Sequence, residues 1–295
     1  MTTHATILAD RGIVSVTGPD AGKLLGGLIT NEMSVLDAAP ALYAALLAPQ
    51  GKILFDFLVV KTADGFLLDT VRERAGDLAK RLTMYKLRAT VEIRDASADF
   101  VVGAVWGGAP ALADAAPGVE VYADPRLAAL GHRVIAPAGT TGADLATALG
   151  GTEATAEAYH AHRIGLGVPE GGRDFAFGDT FPHEALLDQL NGVSFTKGCF
   201  VGQEVVSRMQ HRTTVRKRVV AVVADAALPA EPAPISVGTA EIGRLGSVAG
   251  ARALALLRID RVAEAQRDGV PLTVAGRTVR AEVPAFATFR IEVAA

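Results

Sequence analysis

The chain has 295 residues, a formal charge of −3, an apolar half and only 5% aromatic residues, which gives length for about two ordinary domains and a core of Ala, Val, Leu and Ile rather than stacked rings. Near neutrality excludes a generally basic nucleic-acid coat and an acidic tail. A single cysteine excludes an internal disulfide framework and any iron–sulfur cluster held wholly by this chain's thiolates.

Residues 1–10 show neither a basic n-region nor an apolar h-region, and the long weakly polar run 100–113 is broken by Gly103, Gly107, Gly108 and Pro110, short of the ~20 residues of a spanning helix. The expectation is a soluble globular protein of the cytoplasm, with an organelle matrix as the other compatible compartment. Residues 7–8 and 13–17 read as two short strands about the turn Asp10-Arg11-Gly12. A helix follows, started by Pro19 and Asp20, with Leu24, Leu25 and Leu28 on one face, and ended by Thr30-Asn31. Residues 18–23 imitate a phosphate loop and fail the pattern, because Gly18 and Gly22 are one residue too close and Leu24 stands where the magnesium-binding hydroxyl belongs. Three apolar runs, 41–47, 53–60 and 66–70, divided by Pro49-Gln50-Gly51-Lys52 and Ala63-Asp64-Gly65, predict an antiparallel meander.

Residues 73–83 predict a helix, and 89–94 and 100–105 predict strands that lead to the only tryptophan, Trp106. Residues 107–150 are rich in Ala, Gly and Pro, with short strands expected at 119–122 and 132–135. Residues 152–163 read as a helix with Glu153 and Glu157 in its first turns, where they suit the dipole. His160 and His162 are two apart and do not face one another on a helix, so they make a poor metal pair. Gly165-Leu166-Gly167 lacks the third glycine of a dinucleotide fingerprint, since Glu170 stands there. Segments 219–224, 241–250, 254–258 and 272–283 read as strands, with a turn at Ala275-Gly276-Arg277 and a loop at 229–234. Together they predict a small β barrel or sandwich with a boundary near 212–219.

Two residues stand out chemically. Cys199 lies between Gly198 and Gly202 and two residues from Lys197. Glycines there permit positive φ, and a thiol on an exposed turn near an ammonium group has the setting that lowers a cysteine pKa; the other reading is a small buried hydrophobe. Asp56 interrupts the run 53–60, where alternation either turns it to water or leaves a carboxylate that must be paired or bound. Beyond the cysteine, Arg208, Arg212, Arg216, Lys217 and Arg218 concentrate positive charge, suited to carboxylates or phosphates or simply solvated. With no aromatic platform beside them, direct RNA binding is not expected.

Lys197-Gly198-Cys199-Phe200-Val201-Gly202-Gln203-Glu204 resembles the signature octapeptide of the YgfZ proteins, folate-binding relatives of the glycine-cleavage T-protein (aminomethyltransferase) implicated in iron–sulfur cluster assembly or repair and in tRNA modification. Val16-Thr17-Gly18-Pro19-Asp20, Leu47-Ala48-Pro49-Gln50-Gly51-Lys52-Ile53-Leu54-Phe55-Asp56-Phe57, Tyr85-Lys86-Leu87-Arg88, Arg163-Ile164-Gly165-Leu166-Gly167 and Phe181-Pro182-His183-Glu184 fall in the family's order. The resemblance implies an α+β, T-protein-like fold: two mixed α+β lobes around a central folate cavity over residues 1–211, interleaved in sequence, and a small C-terminal β barrel over 212–295. It implies tetrahydrofolate, or a one-carbon derivative, as cofactor. Asp56 matches the carboxylate that T-proteins place against the pterin, whose N3–H and 2-amino group one carboxylate accepts together. Arg163, Gln203, Glu204 and Arg208 complete the implied cofactor-binding set, with Cys199 and Lys197 forming a reactive turn.

T-proteins carry an acidic residue in the segment matching 163–168, where this chain has Gly165, a departure that counts against aminomethyl transfer. The function implied is a tetrahydrofolate-binding accessory factor supporting assembly or repair of iron–sulfur proteins, with linked tRNA modification, iron–sulfur clients as partners and no membrane. The alternative is a folate-dependent aminomethyl or methyl transferase or demethylase, in which Glu204 or Asp56 moves protons. The residues alone leave open whether the protein is an enzyme.

Overall fold

The computed structural model describes residues 2–111, 118–212 and 215–292, without the side chain of Arg212. It divides into two compact units, Met1–Tyr159 with Leu190–Gln203, and His160–Gln189 with Glu204–Ala295. The first unit holds two five-stranded sheets. Strands β1 (His4–Ile7), β7 (Phe100–Trp106), β8 (Glu120–Ala123), β9 (His132–Pro137) and β10 (Thr152–Glu153) lie in the order β10-β1-β7-β9-β8. Strands β2 (Arg11–Thr17), β3 (Ala41–Leu47), β4 (Ile53–Thr62), β5 (Gly65–Val71) and β6 (Glu92–Asp95) lie in the order β3-β4-β5-β2-β6. The predicted meander is β3-β4-β5, antiparallel throughout.

The first two strands exist as expected but do not turn back on one another. β1 pairs with β7 and β10, whereas β2 pairs with β5 and β6, so the chain changes sheets at residues 8–10. Gly12 is therefore a strand residue and not a turn residue, and its missing Cβ serves close approach: a methyl there would stand 2.6 Å from Ser97 Oγ.

Alternation assigns the faces of the second sheet. Val14, Val16, Leu42, Ala44, Leu46, Phe55, Phe57, Val59 and Leu68 form one face, packed with Leu25 and Leu28 of α1 (Ala21–Leu28) and Ala75, Leu78, Ala79 and Leu82 of α2 (Arg72–Lys86). Every residue of β3 is buried, so the other face is covered too. In the first sheet, Ala5, Val105, Val134 and Ala136 meet Leu145, Ala146 and Leu149. Leu145 and Ala146 belong to α3 (Gly142–Ala148), whose capping box joins Thr141 and Asp144.

The second unit is built on a closed barrel, β11 (Lys217–Val223), β12 (Pro234–Val237), β13 (Ala240–Ala249), β14 (Arg252–Arg258), β15 (Leu272–Val274) and β16 (Arg277–Glu282), in the order β11-β14-β13-β12-β15-β16. Its core includes Val220, Val222, Ile235, Leu245, Ala255, Leu257, Val274 and Val279. Three helices differ from expectation. The predicted helix at 152–163 begins as strand β10 and becomes α4 only at Ala156–Leu166. Helix α5 (Gln203–Arg212) begins inside the octapeptide, and α6 (Ile259–Arg267) runs directly on from β14 without a side-chain cap, which is why no start signal announces it. Among the described residues no helix is long and apolar enough to cross a membrane.

Candidate functional site

The covered second face of the β3-β4-β5-β2 sheet carries Tyr43, Asp56, Asp69 and Arg11, one from each strand. Register sets Asp56 opposite Ala45 and Asp69 opposite Ile13, so Tyr43 and Arg11 reach the two carboxylates on the diagonal. Tyr43 Oη donates to Asp56 Oδ2 at 2.9 Å, and Thr70 Oγ1 donates to the Asp56 carbonyl at 3.0 Å. Asp56 is 3% exposed; of the two readings open from its place in the strand, the water-facing one is excluded.

Around it lies a buried ion network that sequence reasoning missed. Arg11 Nε donates to Asp69 Oδ1 at 2.6 Å and its Nη2 to the Asp69 carbonyl at 2.8 Å. Arg133, on β9 of the other sheet, brings Nη1 to 3.7 Å from Asp69 Oδ2 and donates from Nε to Asp124 Oδ2 at 3.2 Å. Arg126 grips Asp124 with two N–H bonds of 2.9 and 2.7 Å, and its guanidinium lies 5.8 Å from the centroid of the Tyr43 ring. All six charged residues, Arg11, Arg126, Arg133, Asp56, Asp69 and Asp124, are buried, so their charges balance within the unit.

Burial by itself raises the Asp124 carboxyl, but the charge and hydrogen bonds of Arg126, joined by Arg133, overcome it and hold the group at about 2. Burial first, then the Asp56 charge, push the Tyr43 hydroxyl well above its ordinary range and keep it a donor. Tyr122, opposite Arg133 in register, is raised by burial and by Asp69. Tyr122 Oη, Asp69 Oδ2 and Arg133 Nη1 are buried without a hydrogen-bond partner among the described residues.

The cysteine stands in a different setting. Cys199 is exposed, while Lys197 and Phe200 beside it are buried. Lys197 Nζ donates to the carbonyls of Gly26, Ile29 and Asn31 at 2.8, 2.8 and 3.0 Å and lies 5.1 Å from the centroid of the Phe200 ring. Helix α1 has no basic residue in its last turn; Lys197 supplies from far along the chain the cation that a helix C-terminus favours. Burial lowers the Lys197 ammonium from its usual value, with Glu32 opposing. Thr30 Oγ1 donates to the Gly192 carbonyl at 2.6 Å, and Asn31 Nδ2 donates to the carbonyls of Asn191 at 2.7 Å and Tyr43 at 2.8 Å. Gly202, and not Gly198, takes positive φ, at 81°, where a Cβ would stand 2.7 Å from the Ala48 carbonyl oxygen. The octapeptide thus rests against the β3–β4 turn, and two motifs some 150 residues apart in sequence meet.

Gln203, the first residue of α5, also belongs to this unit and donates its N–H to the Phe200 carbonyl at 3.2 Å. The remaining residues singled out from sequence lie in the second unit. Arg163 is fully buried on α4, with Nη1 on Asp174 Oδ2 at 2.7 Å and on the Val168 carbonyl at 3.1 Å, and Nη2 on Ser247 Oγ of β13 at 2.6 Å. Asp174 Oδ1 accepts the Ser247 N–H at 2.7 Å, so Arg163 ties this segment to the barrel. Arg208 pairs with Glu204 one helical turn away at 2.9 Å, both well exposed. Arg218 is buried and donates to both Asp188 oxygens and to the His183 carbonyl, each at 3.0 Å. Of the basic run, then, Arg218 is neutralised in the interior and Arg208 is paired on the surface, while the Arg212 side chain lies outside the described residues.

Two five-stranded sheets and a closed six-stranded barrel make an architecture of the aminomethyltransferase T type. The crystal structure of the glycine cleavage system aminomethyltransferase T from Bartonella henselae superposes with a TM-score of 0.73 over 97% of this chain and 86% of that one, at 17% identity, a likeness of fold. The family profile of the CAF17 C-terminal β-barrel domain matches residues 216–289. The mitochondrial iron–sulfur cluster assembly factor IBA57 of Mus musculus is 34% identical over 282 residues, 86% of this chain and 77% of that protein. Its Homo sapiens counterpart is 36% identical over 231 residues, 72% of this chain and 64% of that protein, and the Mycosarcoma maydis homologue is 34% identical over 227 residues, 71% and 54%. The chain belongs to the IBA57 family; it spans little more than half of the fungal protein. The YgfZ resemblance stands at the coarser level of a T-protein-like relative with a CAF17-type barrel. The expectation of a cytoplasmic protein is overturned, because these relatives are mitochondrial.

Proposed function

We propose that this chain is an accessory factor in the assembly of iron–sulfur proteins, working through the Cys199 loop and taking tetrahydrofolate against Asp56. Membership of the IBA57 family supports the assembly role and the mitochondrion as its setting. The observation that carries the site reading is the exposure of Cys199 between two buried anchors, Lys197 and Phe200, a geometry that presents a thiol to a partner rather than packing it. One thiol cannot house a cluster, so the clients bring the remaining ligands or the cluster itself.

The residues near Asp56 fit a pterin in kind. The ring offers adjacent N–H and amino donors beside a carbonyl; Asp56 and Asp69 Oδ2 are acceptors, and Tyr122 Oη and Arg133 Nη1 are donors. Bound tetrahydrofolate supplies one-carbon chemistry or acts as a ligand alone. A link to tRNA modification then runs through iron–sulfur clients that modify tRNA, without direct RNA contact.

The test is replacement of the endogenous relative in cells lacking it, read as the activity of iron–sulfur enzymes, together with calorimetry of tetrahydrofolate on the purified protein. Wild type restores enzyme activity and Cys199→Ser does not. Asp56→Ala weakens tetrahydrofolate binding by roughly tenfold to a hundredfold, the worth of a hydrogen bond to a charged group. Full restoration by Cys199→Ser, or unchanged folate affinity in Asp56→Ala, defeats the corresponding half of the reading.

A further inference from the structure

An ammonium group has three N–H donors and no acceptor. In Lys197 all three meet backbone carbonyls, those of Gly26, Ile29 and Asn31, at 2.8–3.0 Å. No N–H is left to hydrogen-bond a thiolate at Cys199. The lysine that sequence reasoning cast as the activator of the cysteine is committed to the end of helix α1 instead.

The same helix end holds the loop by other bonds. Thr30 takes the Gly192 carbonyl through its hydroxyl, and its own carbonyl accepts the Ser194 N–H at 2.9 Å. Asn31 divides its amide N–H groups between Asn191, at the start of the loop segment, and Tyr43, whose hydroxyl sits on Asp56. A continuous path of hydrogen bonds therefore runs from Asp56 through Tyr43 and Asn31 to Lys197, two residues from the thiol.

We propose that Lys197 and Asn31 are positioning residues: they clamp the Cys199 loop to the end of α1 and to β3, and Lys197 takes no direct part in thiol chemistry. The proposal rests on the reading that the Cys199 loop is the working surface. Lys197→Met keeps the stem that packs beside Phe200 and removes the donors, leaving three carbonyls without the cation. The loop then detaches from α1 while the chemical setting of the thiol itself stays as it was.

Two readouts on the purified protein decide it: the pH profile of Cys199 alkylation by iodoacetamide, and amide hydrogen exchange of residues 26–31 and 194–202. In Lys197→Met the alkylation midpoint stays within a few tenths of a pH unit of wild type, and exchange in both segments speeds up by about tenfold or more. A rise of the midpoint by about one unit or more restores Lys197 as the activator and overturns the proposal, as does unchanged exchange. Should Lys197→Met fail to fold, Asn31→Ala retains the Lys197 ammonium and its carbonyl partners and cuts the side-chain ties to Asn191 and Tyr43 together with the local bond from the Glu32 N–H to Asn31 Oδ1. Faster exchange at 191–202 with an unmoved midpoint supports the clamp, and wild-type exchange overturns it. These readouts do not depend on the cellular assay, so loss of the proposed function in that assay and failure of the clamp are separate results.

Discussion

Asp56 and Cys199 attract attention for the same reason, as reactive groups out of keeping with their surroundings in sequence, yet the fold treats them in opposite ways. Asp56 is carried by a strand, buried on the covered face of its sheet, and bonded to a tyrosine within a network of buried arginines and aspartates. Cys199 sits in irregular backbone, in solvent, fixed only through its neighbours. Around Asp56 the side chains interact with one another, so removing any one strands another in a low-dielectric interior. Around Cys199 the bonds are between neighbours and backbone, so the thiol itself can change without disturbing what holds the loop. The buried polar face takes its rigidity from charge pairing; the exposed loop takes it from the helix end beneath.

The largest effect expected from this contrast is at Asp124. Asp124→Ala leaves Arg126 and Arg133 as buried cations without their shared carboxylate, a loss of about 3–5 kcal/mol by the usual cost of breaking a buried pair. Chemical denaturation measures it, and a loss below about 1 kcal/mol would show the network to be far better solvated than its burial suggests. The pH dependence has a definite sign. The folded carboxyl sits at about 2, depressed from its ordinary value of 3.8, so its contribution is fully present above about 4 and is lost as pH falls through the window from about 4 to 2. Across that window wild type gives up roughly 2 kcal/mol that Asp124→Ala never had, and their stability curves converge on acidification.

An intermediate effect is expected on the loop side, where the backbone and not charge holds the position. Gly202→Ala asks an alanine to accept φ of 81° and to place its Cβ 2.7 Å from the Ala48 carbonyl oxygen, a main-chain atom that cannot swing away. The cost is about 1–3 kcal/mol in thermal or chemical unfolding. Wild-type stability in this variant would mean that the octapeptide is not seated on the β3–β4 turn.

How much of this was legible beforehand follows the same division. The meander 41–70 announced itself because short apolar runs were separated by turn residues, and the C-terminal barrel did so through its closely spaced strands. The turn expected at Asp10-Arg11-Gly12 is a passage between sheets, because local signals cannot say that a chain leaves one sheet for another. Asp56 was visible as a carboxylate in an apolar run. Asp69 in 66–70 and Arg133 in 132–135 broke their runs in the same manner, and the rule applied to Asp56 would have found them; that all of them meet depends on sheet-on-sheet packing, which periodicity does not encode. Lys197 was noticed for its nearness to Cys199 in sequence, but its partners lie at Gly26, Ile29 and Asn31, and a flexible four-carbon stem leaves no trace of its direction in the sequence. Sequence puts Arg163 in the cofactor-binding set and leaves Arg218 as either a ligand-facing or a solvated cation, yet each is buried against a carboxylate, Asp174 and Asp188, that carries no local signal of the pairing.

The smallest effect on stability is expected at the residue of greatest functional interest. Cys199 is exposed and contributes no side-chain bond to the loop described above, so Cys199→Ala removes a sulfur from solvent and leaves the three Lys197 bonds, the Thr30 and Asn31 ties and the Gly202 seat intact. Unfolding free energy should stay within about 0.5 kcal/mol of wild type, and exchange protection at 194–202 should be retained. Set beside Asp124→Ala, this gives a variant that folds normally and fails in the cell against one that fails because its interior carries unpaired charge. If Cys199→Ala instead unfolds, the sulfur is a packing atom, the exposed presenting loop is wrong, and the two regions no longer differ in kind.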